Sequence, residues 1–307
     1  MKSLHPFFMA FLLLLPLTFR AQELKDLNQL PQEGIPQIKL FYSIGQEARA
    51  AETGSTTRKA YAYLQELLDF TPEVNVLVLS KEDWSKYTTF PVYGMPHYNG
   101  KKTLIVAAED NSFWSSFLPP SDQLPPTLLP EIKKAYTTPN GELSLRPFFD
   151  LLVIHELGHV FHFQAKLNIQ RKWLQELFVN ILLHSYVADN EPERLPPLVM
   201  FPRMVLSGGT QDLTYTTLMD IEARYDEIGQ KFPVNYGWYQ SRWHAAAASI
   251  YDTAGKEAGQ KLWNALKNQP EDLEEKDLAK FLKEKAHPSI ASVLVDWDKN
   301  TQHEPSR

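Results

Sequence analysis

LLVIHELGHVFHF, Leu151 to Phe163, sets two histidines four positions apart with a glutamate directly after the first. Four residues turn an α-helix by about 400°, so His155 and His159 project from one face, one turn apart. Two imidazoles so placed can meet one tetrahedral Zn²⁺ at about 2.0–2.1 Å each. Glu156 lies about 100° round from His155, too far to bind the same ion but near enough to face a water on it. This is the logic of H-E-x-x-H. The competing reading is a buried helix whose histidines are satisfied by core hydrogen bonds. Leu151, Leu152, Val153 and Ile154 lead in, and Val160, Phe161 and Phe163 follow, so the helix is largely interior. Polar groups buried in such a helix need partners, and a shared metal is one reason for all three.

A catalytic zinc takes three protein ligands and keeps one position open. His162, three positions after His159, reads as a bystander. The wider H-E-x-x-H-x-x-G-x-x-H pattern fails, because position 162 is histidine and Ala165 stands where the last histidine would be. Glu176, in WLQELFVN, is the better third ligand. The first helix is expected to end near Lys166 and a second to start near Arg171. A short turn makes them antiparallel neighbours and returns Glu176 to the level of the histidines. Its neighbours Leu174, Leu177, Phe178 and Ile181 place it among core positions. Glu191 and Glu193 read as exposed charges. Metal-bound imidazoles usually pass their other N–H to a carboxylate or carbonyl. Asn180, one turn beyond Glu176, can accept it, with Asp150 and Asp189 as alternatives.

Outward from this stretch the chain divides into four parts. Residues 1–21 read as a secretory signal peptide, with Lys2, an apolar run from Phe7 to Leu17 and a cut after Ala21. The run is short for a membrane span, though an uncleaved anchor is the alternative. Residues 22–144 read as mixed α/β. IPQIKLFYSIG and VNVLVLS are strands, QEARAAETGSTTRKAYAYLQELLDF carries a helix that Pro72 ends, and Asn99-Gly100 makes a hairpin-like turn into a strand from Thr103 to Ala107. Residues 145–270 read as helical and zinc-binding, interrupted by a loop at NEPERLPPLVMFPR. Residues 271–307 read as a charged C-terminal helical tail.

The bulk composition narrows the chemistry. The chain has 307 residues and a net charge of −6 with no basic cluster, which argues against nucleic acid as a partner. It has no cysteine, so thiolate nucleophiles and cysteine-held zinc are excluded, and any metal must sit on His, Asp or Glu.

HELGH followed by WLQELFVN resembles the gluzincin zinc peptidases, which use both histidines of HExxH and a glutamate from the next helix. Trp173, Glu176 and Phe178 match a pattern common around that glutamate in the aminopeptidase branch. The likeness covers about Phe148 to Ala188, and more loosely YQSRWHAAAASIYDTAGKEAGQKLWNAL. The resemblance implies an α+β, zincin-like fold: a small mixed sheet whose edge strand lies over the cleft, then a mostly helical half carrying the HExxH helix. It implies Zn²⁺ on His155, His159 and Glu176, Glu156 as general base, and a tyrosine that stabilises the oxyanion. Tyr239 aligns best with that tyrosine, and Tyr236 is the alternative. KKTLIVAAED is then the edge strand that pairs with a peptide substrate. YGMPHYNG has the Gly94 and Met95 of an aminopeptidase G-x-M-E-N motif but not its E-N, which leaves aminopeptidase and endopeptidase action both open. The expectation is an exported metallopeptidase acting on a peptide or protein, meeting a membrane only if its N-terminal segment stays uncleaved. The alternative is an exported binding or assembly module that keeps the fold without the activity.

Overall fold

Two runs of aliphatic and β-branched residues, Val74–Leu79 and Thr103–Ala107, have no polar alternation, which is the pattern of strands covered on both faces. They form the centre of the sheet in the computed structural model, which describes residues 24–118 and 124–299. The segment read as a signal peptide, 1–21, lies outside the described residues. The strands are β1 (Gln32–Ile35), β2 (Ile38–Tyr42), β3 (Val74–Leu79), β4 (His97–Tyr98) and β5 (Thr103–Ala107). Their order is β1-β2-β3-β5-β4, with β2, β3 and β5 parallel and the two outer strands antiparallel. The described chain is therefore α+β, a small mixed sheet followed by a mostly helical remainder.

Two features of the sheet depart from the sequence reading. β1 was not expected, because all four of its residues are exposed and none alternates with a core position. Pairing alone makes it a strand, in a hairpin closed by Ile35 opposite Ile38. Gly34 allows it: at φ +141° an added Cβ would lie 2.1 Å from the Ile38 carbonyl oxygen. The second departure corrects the edge strand. KKTLIVAAED supplies β5, which is interior, and the edge beside it is β4, with His97 opposite Ile105 and Tyr98 opposite Leu104. The Asn99-Gly100 turn folds β4 back, the Asn99 carboxamide oxygen accepting from the Lys101 and Thr103 N–H groups at 3.1 Å.

The helices are α1 (Glu47–Leu68), α2 (Lys81–Tyr87), α3 (Ser112–Ser115), α4 (Leu129–Tyr136), α5 (Arg146–Phe149), α6 (Leu152–Gln164), α7 (Lys172–Asn190), α8 (Leu195–Leu206), α9 (Leu218–Lys231), α10 (Pro233–Ala254), α11 (Glu257–Lys267), α12 (Glu275–Phe281) and α13 (Pro288–Val295). α7 is the central rod. Every residue from Trp173 to Val187 except Gln175 is buried, and α6, α9, α10 and α11 all pack on it. α6 approaches most closely at Gly158, where a Cβ would meet the Val179 side chain at 2.9 Å. α6 also lies against β4 and β5, which brings the sheet edge to the histidine helix.

The stretch read as a loop from 190 to 203 is largely helical. Pro196 and Pro197 fall in the first turn of α8, where the missing N–H groups have no intrahelical partner to lose, and Leu198, Met200, Phe201 and Met204 are buried. Glu191 is not an exposed charge. It is buried and accepts from the Tyr186 hydroxyl at 3.0 Å and the Arg194 guanidinium at 2.6 Å. The C-terminal segment is not a free tail through residue 299. Leu278, Leu282 and Ile290 join the core, and Trp297 stacks on Tyr239 with the Arg242 guanidinium 3.6 Å above its ring. Among the described residues no helix is long and apolar enough to cross a membrane.

Candidate metal centre

α6 sets His155 and His159 one turn apart, and their Nε2 atoms stand 3.2 Å from each other. The connection 165–171 reverses the chain and α7 runs back alongside, so that Glu176 arrives at the same level. Its Oε2 lies 3.2 Å from His155 Nε2 and its Oε1 3.8 Å from His159 Nε2. All three side chains are buried. Among the described residues this is the one group of three or more His, Asp or Glu side chains that converges tightly enough to hold an ion.

The donor set fits zinc. Ligand atoms about 2.0–2.1 Å from a tetrahedral ion stand roughly 3.3 Å apart, close to the separations found here. The outward ring nitrogens are also held. His155 Nδ1 is 2.9 Å from the Asn180 carboxamide oxygen, which can only accept, so Nδ1 carries a proton and Nε2 faces the cluster. Asn180 thus makes the contact expected of it. His159 Nδ1 is 2.9 Å from His162 Nε2. His162, read as a bystander, lies outside the converging group but in contact with one of its members. For His159 to offer Nε2 to an ion, its Nδ1 donates and His162 accepts.

Glu176 is held from two further helices. The Tyr225 hydroxyl of α9 donates to Oε1 at 2.7 Å, and the Gln240 amide of α10 donates to Oε2 at 2.9 Å. The same Gln240 nitrogen lies 2.9 Å from the Tyr236 hydroxyl, which is 3.1 Å from that of Tyr225. No feature of the sequence near Glu176 announces Tyr225 or Gln240. The one signal was on α10, where Tyr236, Gln240 and His244 recur every four residues and so share a face.

The structure also separates the two tyrosines that the resemblance offered as oxyanion donor. Tyr239 lies round the helix from the Tyr236 face and turns toward the C-terminal packing. Its hydroxyl donates to the Thr217 carbonyl at 2.8 Å, and its ring is stacked on Trp297 and Trp243. The structure brings Tyr236 to the cluster and leaves Tyr239 in the C-terminal packing. Asp150 and Asp189 are also elsewhere: Asp150 pairs with the Arg49 guanidinium, and Asp189 accepts from Tyr63 and Tyr251.

The electrostatics follow from burial and proximity. Burial pushes the Glu156 carboxyl up to about 7, against the His155 charge and a Tyr98 backbone N–H from β4, which both hold it down. Burial opposes charge on His155, yet the hydrogen bond to Glu176 and the charges of Glu156 and Glu176 outweigh it and raise the ring to about 9. Burial likewise opposes ionisation of Glu176, but the neighbouring histidines and Gln240 keep it well below the usual carboxylate range. Burial takes His159 down to about 4. His155 and Glu176 thus share a proton across a buried contact of 3.2 Å, the position that a cation bound there would take over. The sequence matches no protein-family model and no curated protein.

Proposed function

We propose that this chain is an exported, zinc-dependent peptidase with a zincin-like catalytic fold. The observation that carries the reading is the buried convergence of His155, His159 and Glu176 at tetrahedral spacing, with Glu156 on the same turn. Zinc held by these three side chains would act as a Lewis acid on a carbonyl and acidify a water.

The chain's own groups do the rest. Glu156, its proton affinity set near neutrality, takes a proton from the attacking water and returns it to the leaving amine. Tyr236 is the oxyanion donor, by a count of protons. Tyr225 has one hydroxyl proton, given to Glu176, and Gln240 has two amide protons, placed toward Glu176 and Tyr236. The Tyr236 proton is the hydroxyl proton in this network not taken by Glu176; its acceptor there is the neutral Tyr225 hydroxyl at 3.1 Å, which it can leave for a developing negative charge. β4 offers an extended backbone beside Glu156 along which a peptide can align. Lys2, the apolar run and Ala21 support export.

Elemental analysis of the purified protein should find about one zinc per chain, as a single three-ligand site requires. A peptide library should be cut by the wild type and left intact by Glu156→Gln. A protein that takes up no zinc and cuts nothing would end this reading. Stoichiometric zinc without turnover would leave a metal-binding module instead.

A further inference from the structure

Both oxygens of Glu176 are engaged by protein donors, and the donors come from helices that carry no ligand. A carboxylate offers about four acceptor positions. Tyr225 takes one on Oε1 and Gln240 one on Oε2, which leaves each oxygen able to face an ion while neither is free to rotate.

The seating of Tyr225 is itself built. α9 begins in a reciprocal cap, the Thr217 hydroxyl accepting from the Asp220 N–H and the Asp220 carboxylate from the Thr217 N–H. Glu222 then accepts from the Trp173 N–H at 2.9 Å, which fixes α9 to the first turn of α7, just ahead of Glu176. Just beyond these two contacts α9 departs from helical geometry at Arg224, with φ −134° and ψ 24°. The break re-aims the chain so that the next side chain, Tyr225, meets the carboxylate. Arg224 is held in place by Glu227 at 3.0 Å and by the Tyr215 ring, 5.6 Å away. Lys172 lies 5.6 Å over the Tyr225 ring and limits its swing.

We infer that the broken helix α9 and the Gln240 face of α10 form a clamp on Glu176, with Tyr225 and Gln240 as positioning residues that set the metal affinity of the site. The inference rests on the metal-site reading above. It assigns these two side chains no contact with substrate; they act through the orientation and basicity of one ligand.

The test is zinc affinity, measured by chelator competition on the full chain. Tyr225→Phe and Gln240→Leu should each weaken binding by about 10–100-fold, the usual effect of removing a ligand's supporting hydrogen bond. The visible absorption bands of the cobalt-substituted variants should shift, since the coordination sphere is altered. Thermal melting of the metal-free variants should match the wild type, which separates positioning from general packing. Tyr63→Phe, which removes a hydroxyl bonded to Asp189, should leave the zinc affinity unchanged. If the wild type binds zinc and both variants bind it equally well with unshifted cobalt spectra, the clamp is refuted and the metal site stands. If the wild type binds none, the metal site falls and the clamp with it.

Discussion

Val76, Leu77, Val78 and Leu79 of β3 are as thoroughly sealed from solvent as Leu174, Leu177, Asn180 and Leu183 of α7. In β3, the buried side chains are all hydrocarbon and the polar atoms among them are backbone groups paired along the ladder. In the α6–α7–α10 bundle the helices satisfy their own backbone just as well, yet His155, Glu156, His159, His162, Glu176, Asn180 and His244 are buried too. These groups are surplus to what folding requires. Burying them costs free energy, and Asn180 Nδ2 still lacks a protein partner. The difference teaches where polar side chains are tolerated inside this fold: the strand is built for burial alone, and the bundle gives up some burial energy to hold a converging polar group.

The comparison can be broken from either side. Glu156→Gln, in the bundle, should lower peptide turnover by something on the order of 10²–10⁴-fold, the span for loss of a general base, with zinc content and melting temperature retained. Leu77→Ala, in the sheet, should do the reverse. It should cost about 2–5 kcal/mol in urea unfolding, as large-to-small changes in a packed core do, with full zinc in the molecules that stay folded. Tyr236→Phe should lower kcat by roughly 10²-fold with a small change in KM, as removal of one oxyanion donor does. Tyr239→Phe sharpens the contrast within a single helix. It should cost about 1 kcal/mol of stability through the lost bond to Thr217, without the kinetic signature of Tyr236→Phe.

The smallest effect is a pH dependence at the sheet edge. Burial lowers the pKa of His97 below the ordinary 6.5, against a smaller opposing contribution from the Met95 carbonyl. The folded chain therefore binds fewer protons than the unfolded chain as pH falls through 6.5. The stability His97 contributes is fully present above that pH and is lost below it, at no more than about 1.4 kcal/mol per pH unit. Urea unfolding on either side of the transition measures it, and His97→Gln should flatten the slope.

What could be read in the sequence was what neighbours in the chain decide. The i, i+4 histidines, the return of Glu176 and the place of Asn180 all lie within one helix–turn–helix, so periodicity and a short connection suffice. β3 and β5 were legible because strands buried on both faces read as unbroken apolar runs. β1 and β4 were not, since pairing rather than burial makes them strands. α8 was masked by its prolines: a first turn tolerates Pro196 and Pro197, and the helix also contains Pro202. Tyr225 gave no sign, because a break at Arg224 decides where it points. Tyr236 and Tyr239 could be separated only by asking which side of α10 meets α7. The contact of His162 with His159 was not legible, because ring orientation and not spacing decides it.

The spacing of the ligands along the chain has a consequence for the order of events during folding. His155, His159 and Glu176 all lie in the α6–α7 hairpin, so closing the site requires only a short loop. The clamp residues are more distant, 49 and 64 positions beyond Glu176. Loop-closure entropy therefore favours the contacts within the hairpin over those that reach Glu176 from α9 and α10. The proposed ligand set is thus the locally assembled part of the site, and Tyr225 and Gln240 are the part that depends on the packing of α9 and α10 on α7.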